Sequence, residues 1–294
     1  TEVGNYIDIS GNSSLETIYL GALENADSYF YVQNNETLEE VDLSSLLTVS
    51  STFYFYDNRN LNEVSAPVLE EIGGSLQFSW HTSGGAEDIY MPSLETLGGD
   101  LYFYYSYYIE EVDLSSLVEV GGQVYIYQAN YLEQIDLSAL EEVSSQFYVY
   151  YATNLDALEL DALTDIGSTM TISYNTSMET LSAPLLENLG GNLYIQDNTN
   201  LNTIDLSSLE CVDDYTIEGN DLSVADQYDL LVQLTCASEG SLIVFSAENA
   251  DDFCDTGETE IENLYINATG TDPIDLSCLE TITGYLEIEN SLAP

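Results

Sequence analysis

Apolar residues recur along this chain with a period of 23 residues. The copy that starts at Phe30 reads FYVQNN, and the next copy, 23 residues later, reads FYFYDN. Further copies start at Leu76, Leu101, Val124, Phe147, Met170 and Leu193, with one step of 25 residues after Leu76. An earlier copy starts at Ile7, and less regular copies start near Tyr215, Leu242, Leu264 and Leu286. A fixed period over most of the chain predicts a solenoid of about thirteen coils.

The spacing within one repeat indicates strands. With the first residue of each copy counted as position 0, apolar residues fall at positions 0, 2, 8, 11, 13, 16 and 19. In the copy from Phe30 they are Phe30, Val32, Leu38, Val41, Leu43, Leu46 and Val49. Two apolar residues separated by one residue lie on the same side of a strand. The pattern therefore predicts an all-β, right-handed parallel β-helix, with tight corners at pairs such as Gly73-Gly74.

One turn of the repeat, NLNEVSAPVLEEIGGSLQF, resembles the receptor L-domain pattern, a leucine-rich-repeat-like β-helix. The resemblance rests on Leu61, Val64, Leu69, Ile72 and Gly73-Gly74 with their equivalents, and it covers roughly residues 5–215. Similar repeats occur in growth-factor-receptor ectodomains and in GPI-anchored fungal cell-wall proteins. The resemblance implies a surface-exposed, non-enzymatic module that serves recognition or wall structure.

The last third of the chain departs from the regular repeat. We expect regular coils over residues 1–215 and irregular coils with a cap over 216–294, continuous with the same solenoid. Apolar residues at helical spacing predict one amphipathic helix over 222–236. Four cysteines occur only here, without a CxxC pair or a nearby histidine, so two disulfides are expected instead of a zinc site, in an extracellular setting. They are Cys211, Cys236, Cys254 and Cys278, and their pairing stays open.

Charge narrows the range of partners. The chain carries 53 acidic residues, Arg59 as its one basic residue and His81 as its one histidine, which gives a net charge of -52. Such a polyanion is not expected to bind nucleic acid or anionic membranes, and it favours cations, basic proteins, mineral surfaces or neutral glycans. Adaptation to high salt is an alternative origin of the acidity. No apolar run reaches the length of a transmembrane helix. We expect that no signal peptide remains at Thr1.

Acidic residues recur at positions 9, 10 and 12, on the second predicted strand. Like charges on neighbouring strands repel and have no basic side chains to pair with, so Ca²⁺ is a possible ligand for them, although diffuse Na⁺ would also suffice. The candidate ligands are Glu110, Glu111, Asp113, Glu133 and Asp136. A second candidate loop, over 251–260, contains Asp251, Asp252, Asp255 and Glu258.

Tyrosines occupy positions 1 and 3, which point away from the core if positions 0 and 2 point inward. The predicted interaction face consists of Tyr31, Tyr54, Tyr56, Tyr102, Tyr104, Tyr125, Tyr127, Tyr148, Tyr150 and Tyr194. Neighbouring tyrosines at Tyr105, Tyr107, Tyr108, Tyr131 and Tyr151 widen it. Tyrosine also favours strands without any function. An exposed aromatic strip, however, usually marks an interface.

Asparagine recurs at position 5, where it can turn inward and form hydrogen bonds with the corner backbone. We expect such a ladder at Asn58 and Asn198. Four asparagines, Asn12, Asn35, Asn175 and Asn267, also begin N-x-S/T sequons for glycosylation. A ladder residue cannot carry a glycan, so the role of the sequon residues in this column stays open.

No catalytic signature is present, and we expect that the chain is not an enzyme. His81 and Trp80 lie together at the two-residue insertion, in a loop that is either a specificity element or a loop without a function. The leading hypothesis is an extracellular structural or adhesive protein that associates with itself or with another surface protein through its tyrosines. One alternative is a carbohydrate-binding module that stacks sugars on the same rings. Another is a receptor ectodomain for a basic protein ligand.

Overall fold

A computed structural model describes residues 1–79, 87–210, 212, 214–234, 242–244, 250, 254, 260–261, 264–266, 274–283 and 286–288. The fold is an all-β parallel solenoid with one short helix, as the repeat predicts. Two compact units are present. The first comprises Thr1–Leu209 with Asp213–Asp221, and the second comprises Glu210–Val212 with Leu222–Pro294.

The longest sheet of the first unit contains ten parallel strands, one from each coil. The strands are Ile7–Ser10, Phe30–Gln33, Phe53–Tyr56, Leu76–Ser79, Leu101–Tyr104, Val124–Tyr127, Phe147–Tyr150, Met170–Ser173, Leu193–Gln196 and Tyr215–Glu218. Equivalent residues pair along the whole sheet, so that Tyr102 lies beside Tyr125 and Tyr125 beside Tyr148. Here each repeat position therefore becomes a straight column of side chains, as the 23-residue period predicts.

The second strand of each coil forms another parallel surface, which consists of a six-stranded and a three-stranded sheet. The six strands are Thr17–Tyr19, Glu40–Asp42, Glu63–Ser65, Glu87–Tyr90, Ile109–Asp113 and Gln134–Asp136. The three strands are Ala157–Glu159, Thr180–Ser182 and Thr203–Asp205. The register shifts between Glu87 and Asp88, directly after the two-residue insertion.

A third sheet of two-residue strands closes each coil before the tight corner. Its strands are Glu2–Val3, Asn25–Ala26, Thr48–Val49, Glu71–Ile72, Thr96–Leu97, Glu119–Val120, Glu142–Val143, Asp165–Ile166 and Asn188–Leu189. The coils approach closely at the corner that follows, where a Cβ atom on Gly73 would lie 2.5 Å from the Ser50 carbonyl oxygen. A glycine at this corner allows the close approach, which explains the Gly-Gly pairs.

The core lies between these sheets and consists of the seven apolar positions of each repeat. All seven predicted core residues of the coil from Phe30 are at most 2% exposed. Phenylalanine fills the inward positions of the long sheet at Phe53, Phe55, Phe78 and Phe103, whose rings are completely buried. The interior thus uses Phe where the outer side of the same strands uses Tyr, which keeps the phenolic hydroxyls out of the core.

The second unit contains the helix and the remaining strands. The helix spans Val224–Leu234 and begins two residues later than predicted, because Ser223 caps it: the Ser223 Oγ accepts a hydrogen bond from the Asp226 N–H at 3.2 Å. Its strands are Leu242–Val244, Leu264–Ile266 and Leu286–Ile288 in one parallel sheet, and Glu260–Ile261 and Thr281–Ile282 in another.

Three of the four less regular copies, those from Leu242, Leu264 and Leu286, form a separate three-stranded sheet, whereas the copy from Tyr215 belongs to the long sheet. About ten of the expected thirteen coils therefore belong to the long sheet. Cys254 and Cys278 form a disulfide, with their Cα atoms 5.5 Å apart. Cys211 and Cys236 lie outside the described residues.

Among the residues described, no helix combines the length and hydrophobicity needed to cross a bilayer.

Candidate interaction surface

The outer side of the ten-stranded sheet is uncharged over eight consecutive coils. From the coil of Phe30 to the coil of Leu193, none of the sixteen residues at positions 1 and 3 is acidic or basic. Ten of them are the tyrosines predicted from the sequence, and the others are Gln, Ser or Thr. Acidic residues return only at the two end strands, with Asp8 and Glu218. We call this set of outward residues the tyrosine surface.

The ten predicted tyrosines do lie on one sheet, and they are densest on three adjacent strands. The rings of Tyr102, Tyr125 and Tyr148 are nearly parallel, with centroids 5.0 and 4.8 Å apart. A second column contains Tyr104, Tyr127 and Tyr150, with centroids 5.5 and 5.6 Å apart. Because each ring covers the face of the next, all six side chains are only partly exposed.

A third group of rings reaches this surface from the corner after the strand. Residues at position 4 have a left-handed backbone, with φ of 53° at Tyr105, 58° at Tyr151 and 60° at Tyr174. Tyr105 packs edge-to-face on Tyr104, with centroids 4.4 Å apart. Tyr151 stacks on Tyr174, with centroids 5.0 Å apart. The nine tyrosines that form the two columns and the corners are Tyr102, Tyr104, Tyr105, Tyr125, Tyr127, Tyr148, Tyr150, Tyr151 and Tyr174. We call them the central array.

Tyr174 and, near the first strand, Tyr29 and Tyr6 belong to this surface and are not among the tyrosines predicted from the sequence. Tyr29 precedes its strand and stacks on Tyr31 with centroids 4.2 Å apart, while Tyr6 stacks on Tyr29 at 4.8 Å. Tyr6 and Tyr29 directly precede a strand and Tyr174 directly follows one, so none of the three stands at position 1 or 3. The sequence signal for Tyr174 is the recurrence of tyrosine at position 4, at Tyr105 and Tyr151.

Burial changes the acid–base behaviour of these phenols. Desolvation, followed by the proximity of other tyrosines, raises the pKa of Tyr54 and of Tyr148 to about 12. The same cause raises the pKa of Tyr102 and Tyr125 above 10. The hydroxyls are therefore neutral donors and acceptors at physiological pH, and the tyrosine surface adds no charge to a strongly anionic molecule.

The asparagine ladder is present and runs inside the corner. The Asn58 Oδ1 accepts a hydrogen bond from the Asn35 N–H at 3.1 Å, and its Nδ2 donates to the Val32 carbonyl at 2.8 Å. Asn198 makes the equivalent bonds, donating to the Ile172 carbonyl at 2.9 Å. Each ladder residue thus satisfies backbone groups of the preceding coil, as expected for Asn58 and Asn198.

Two of the predicted glycosylation sites belong to this ladder. Asn35 and Asn175 are completely buried, and their Nδ2 atoms donate to the carbonyls of Ile9 and Val149. The folded chain therefore cannot carry a glycan at either residue. Asn12, at the end of the ladder, is exposed, and Asn267 lies outside the described residues.

The ladder is interrupted in the three coils that carry both tyrosine columns. Position 5 is Ser106, Ala129 and Ala152 in the coils from Leu101, Val124 and Phe147. The Ser106 Oγ still donates to the Phe78 carbonyl at 2.9 Å, whereas the two alanines have no side-chain group to donate. The coil from Met170 combines Tyr174 with the ladder residue Asn175.

The predicted Ca²⁺ ligands in the regular coils form rows instead of a cluster. Glu63 pairs with Glu40 on one side and with Asp88 on the other, and Asp88 pairs with Glu111. Within the described ranges, no three acidic, histidine or cysteine side chains are arranged to hold a metal ion. Glu110, Glu111, Asp113, Glu133 and Asp136 are therefore not a preformed chelating site.

The aspartates at position 12 have a structural role that the sequence analysis did not predict. Asp113 and Asp136 each accept a hydrogen bond from the backbone N–H two residues ahead, at Ser115 (3.1 Å) and Ser138 (3.0 Å). The same contact from the Ser44 N–H lowers the pKa of Asp42. The recurrent Asp-Leu-Ser motif is thus a turn motif in which the carboxylate fixes the corner.

A further acidic row, not predicted from the sequence, lies on the third sheet, where Glu119 pairs with Glu142 and Glu142 with Asp165. Two ion pairs occur in the described part of the chain: Arg59 with Asp57 at 2.8 Å, and the Thr1 ammonium with Glu24 at 3.2 Å.

Several predicted residues lie outside the described ranges. They are Trp80, His81, Asp251, Asp252, Asp255 and Glu258.

Scans of the chain against protein-family models, curated proteins and solved structures gave no match.

Proposed function

We propose that this chain is an extracellular, non-catalytic structural or adhesive protein that binds a second copy of itself, or another surface protein, through its tyrosine surface. The observation that carries the proposal is the uncharged tyrosine surface on a chain of net charge -52. The receptor L-domain resemblance agrees with a cell-surface role and is part of the proposal.

In the central coils, tyrosine occupies corner positions where it lowers the local stability of the chain. A left-handed backbone costs about 1–2 kcal/mol for residues other than Gly, Asn and Asp. Tyr105 and Tyr151 adopt it, where Asn34 and Asp197 stand in other coils. The same central coils lack the ladder asparagine. Departures from locally favourable residues that coincide in one region are typical of functional sites.

Charge explains why this surface in particular would form the contact. Two copies repel each other through every acidic face, and the tyrosine surface lets them approach with uncharged groups in between. Eight strands of four residues span roughly 40 by 13 Å, on the order of 500 Å² per copy. This area is at the low end for a specific interface, so the expected association is weak. Ca²⁺ ions that neutralise the acidic rows should strengthen it more than Na⁺ does at equal ionic strength.

The ring geometry favours a protein partner over a sugar. A pyranose ring stacks on an open aromatic face. In the central array the faces of Tyr125 and Tyr127 are covered by their neighbours on both sides, at centroid distances of 4.8–5.6 Å. Ring edges and hydroxyls remain for contact, and these are the groups that tyrosine contributes to protein interfaces. Glycan binding is therefore the alternative that this arrangement favours less.

The experiment is light scattering on the purified chain over a range of protein concentrations. The triple variant Tyr102→Thr, Tyr125→Thr, Tyr148→Thr tests the surface, because Thr171 occupies the same position in the next coil and keeps the strand. Tyr19→Thr with Tyr90→Thr is the control, since both side chains are exposed elsewhere, at 73% and 44%. We expect concentration-dependent dimers for the wild type and the control and monomers for the triple variant. Equal association of all three would contradict the proposal.

A further inference from the structure

The rings of the central array form one connected network within a single chain. Tyr150 illustrates this, because its ring contacts Tyr127 at 5.6 Å, Tyr148 at 5.7 Å and Tyr174 at 5.2 Å between centroids. Tyr127 continues the network to Tyr104 at 5.5 Å. An electron removed from any of these phenols therefore leaves a ring that touches further oxidisable rings in the adjacent coils.

The network is accessible to an oxidant and has a proton acceptor at one end. All nine rings are partly exposed on the outer side of the sheet. Loss of an electron from a neutral phenol releases the hydroxyl proton, which needs a base. Asp197 is close enough to the Tyr174 hydroxyl to raise its pKa, and the Asp197 carboxylate can accept that proton.

The tyrosine-rich coils also lack any other means of covalent linkage. The first cysteine of the chain is Cys211, so no disulfide joins two coils of the long sheet between Ile7 and Gln196. Adjacent coils there are held by strand pairing, packing and the asparagine ladder. This ladder is interrupted at Ala129 and Ala152, in the coils where the tyrosines are densest.

We propose that the central array is a site of oxidative dityrosine cross-linking between adjacent coils, driven by a one-electron oxidant such as a haem peroxidase with hydrogen peroxide. Each of two tyrosines loses the hydroxyl proton and one electron. The two radicals then couple through the carbons next to the hydroxyl-bearing carbons, and the protons on the new bond's carbons return to the oxygens. One C–C bond forms and two C–H bonds break. The two electrons and two protons reduce one hydrogen peroxide to two waters.

Cross-linking of this kind joins segments of one chain and does not require association between copies. It is therefore independent of the proposed function. Its product is a covalent staple between neighbouring coils, which restricts the unfolded chain as a disulfide does and should raise the thermal unfolding temperature.

The test is peroxidase treatment of dilute, monomeric protein, followed by cleavage after acidic residues and tandem mass spectrometry. Cleavage after Asp100, Glu110, Glu119, Glu133, Glu142 and Asp156 separates the three tyrosine-rich strands into peptides 101–110, 120–133 and 143–156. We expect cross-links between 101–110 and 120–133 and between 120–133 and 143–156, each with the loss of two hydrogens. We do not expect 101–110 to join 143–156. Absence of cross-links, or the same mixture from folded and urea-unfolded protein, would overturn the proposal.

Two double variants test whether the cross-linking takes place at the tyrosines of the central array. Tyr125→Phe with Tyr127→Phe keeps the ring packing and removes the oxidisable hydroxyls of the middle coil. We expect it to abolish the link between 120–133 and 143–156. Tyr19→Phe with Tyr90→Phe removes as many hydroxyls at exposed positions outside the array and should retain that link. Retention of the link in both variants, or its loss in both, would contradict the assignment. Cross-links on chains that stay monomeric would still support this proposal even if the proposed association fails.

Discussion

Two groups of coils in the first unit form the same corner with different residues. In the flanking coils, from Phe30, Phe53 and Leu193, the left-handed residue is Asn34, Asp57 or Asp197, and a buried ladder asparagine follows it. In the central coils, from Leu101, Val124 and Phe147, the left-handed residue is Tyr105, Gln128 or Tyr151, and Ser or Ala follows it. Strand pairing and core packing are alike in both groups.

The two groups differ in the contacts that stabilise the corner and in the number of aromatic rings on the outer side of the sheet. The flanking coils use the residues that the corner itself favours, and each ladder asparagine satisfies the backbone of its neighbour. The central coils give up these contacts and gain a third group of aromatic rings on the outer side of the sheet. Stacked rings recover part of the loss, since a well-placed aromatic pair contributes about 0.5–1.5 kcal/mol. We therefore expect the central coils to depend on aromatic contacts where the flanking coils depend on the ladder.

The largest expected effect is alkaline destabilisation of the central coils. The pKa of Tyr148 is raised to about 12, from 10.0 in an unfolded chain. The unfolded chain therefore loses its tyrosine protons first, and stability falls as the pH rises from 10 towards 12. Urea titrations at increasing pH should show this loss. The variant Tyr102→Phe, Tyr125→Phe, Tyr148→Phe keeps the packing without the ionisation and should stay folded to a higher pH. Identical alkaline midpoints for the two proteins would contradict this explanation.

The second effect is the loss of a ladder residue from the flanking coils. Asn58→Ala removes the acceptor of the Asn35 N–H and the donor to the Val32 carbonyl, so buried backbone groups lose their partners. We expect a decrease of about 3 kcal/mol in the free energy of unfolding, measured by urea denaturation. Asn12→Ala is the matched control, because Asn12 is the exposed end of the ladder and satisfies no preceding coil. Equal losses for both variants would show that the ladder contributes little.

The third effect is a gain from extending the ladder into the central coils. The Ala152 N–H already donates to the Asn175 Oδ1 at 2.9 Å. Asn at position 152 would lie in register with Asn175 and could donate to the Ile126 carbonyl. Ala152→Asn should therefore raise the free energy of unfolding by about 1 kcal/mol. Ala152→Ser, which is too short to reach, serves as the control. A clear loss of stability in Ala152→Asn would mean that the central corner has no room for the ladder.

The smallest expected effect separates backbone strain from ring contacts at Tyr151. Tyr151→Asn loses the stacking on Tyr174 but relieves the left-handed backbone, so the two terms nearly cancel. Tyr151→Ala loses the same ring and keeps the strain. We expect the Asn variant to be more stable than the Ala variant by about 1 kcal/mol, in paired urea denaturation experiments. Equal stability of the two variants would show that the left-handed backbone at Tyr151 is not strained.

Much of the fold follows from periodicity, because a core position must stay apolar in every coil. The seven apolar positions were enough to predict the buried residues and the outward tyrosines, and asparagine at position 5 predicted the ladder at Asn58 and Asn198. The corners were harder. Tyr174 reaches the tyrosine surface from a left-handed backbone, and tyrosine is not a residue that indicates such a backbone.

The roles of some polar residues could not be predicted from the sequence either, because their side chains fit two kinds of contact. Asn35 fits both a sequon and the ladder, and only its burial distinguishes the two. Asp136 fits both a cation ligand and a turn, and its hydrogen bonds to Ser138 assign it to the turn. In both cases the residue type states which bonds are possible, while the backbone geometry decides which bond is made.

The most direct test of the central claim is sedimentation equilibrium of the wild-type chain across NaCl concentrations, with and without Ca²⁺. If the tyrosine surface lets like-charged copies meet, screening should favour the contact, so dimers should increase with salt and increase further with Ca²⁺ at matched ionic strength. Association that weakens as salt rises, or a monomer under every condition, would contradict the claim that this uncharged surface joins polyanionic copies.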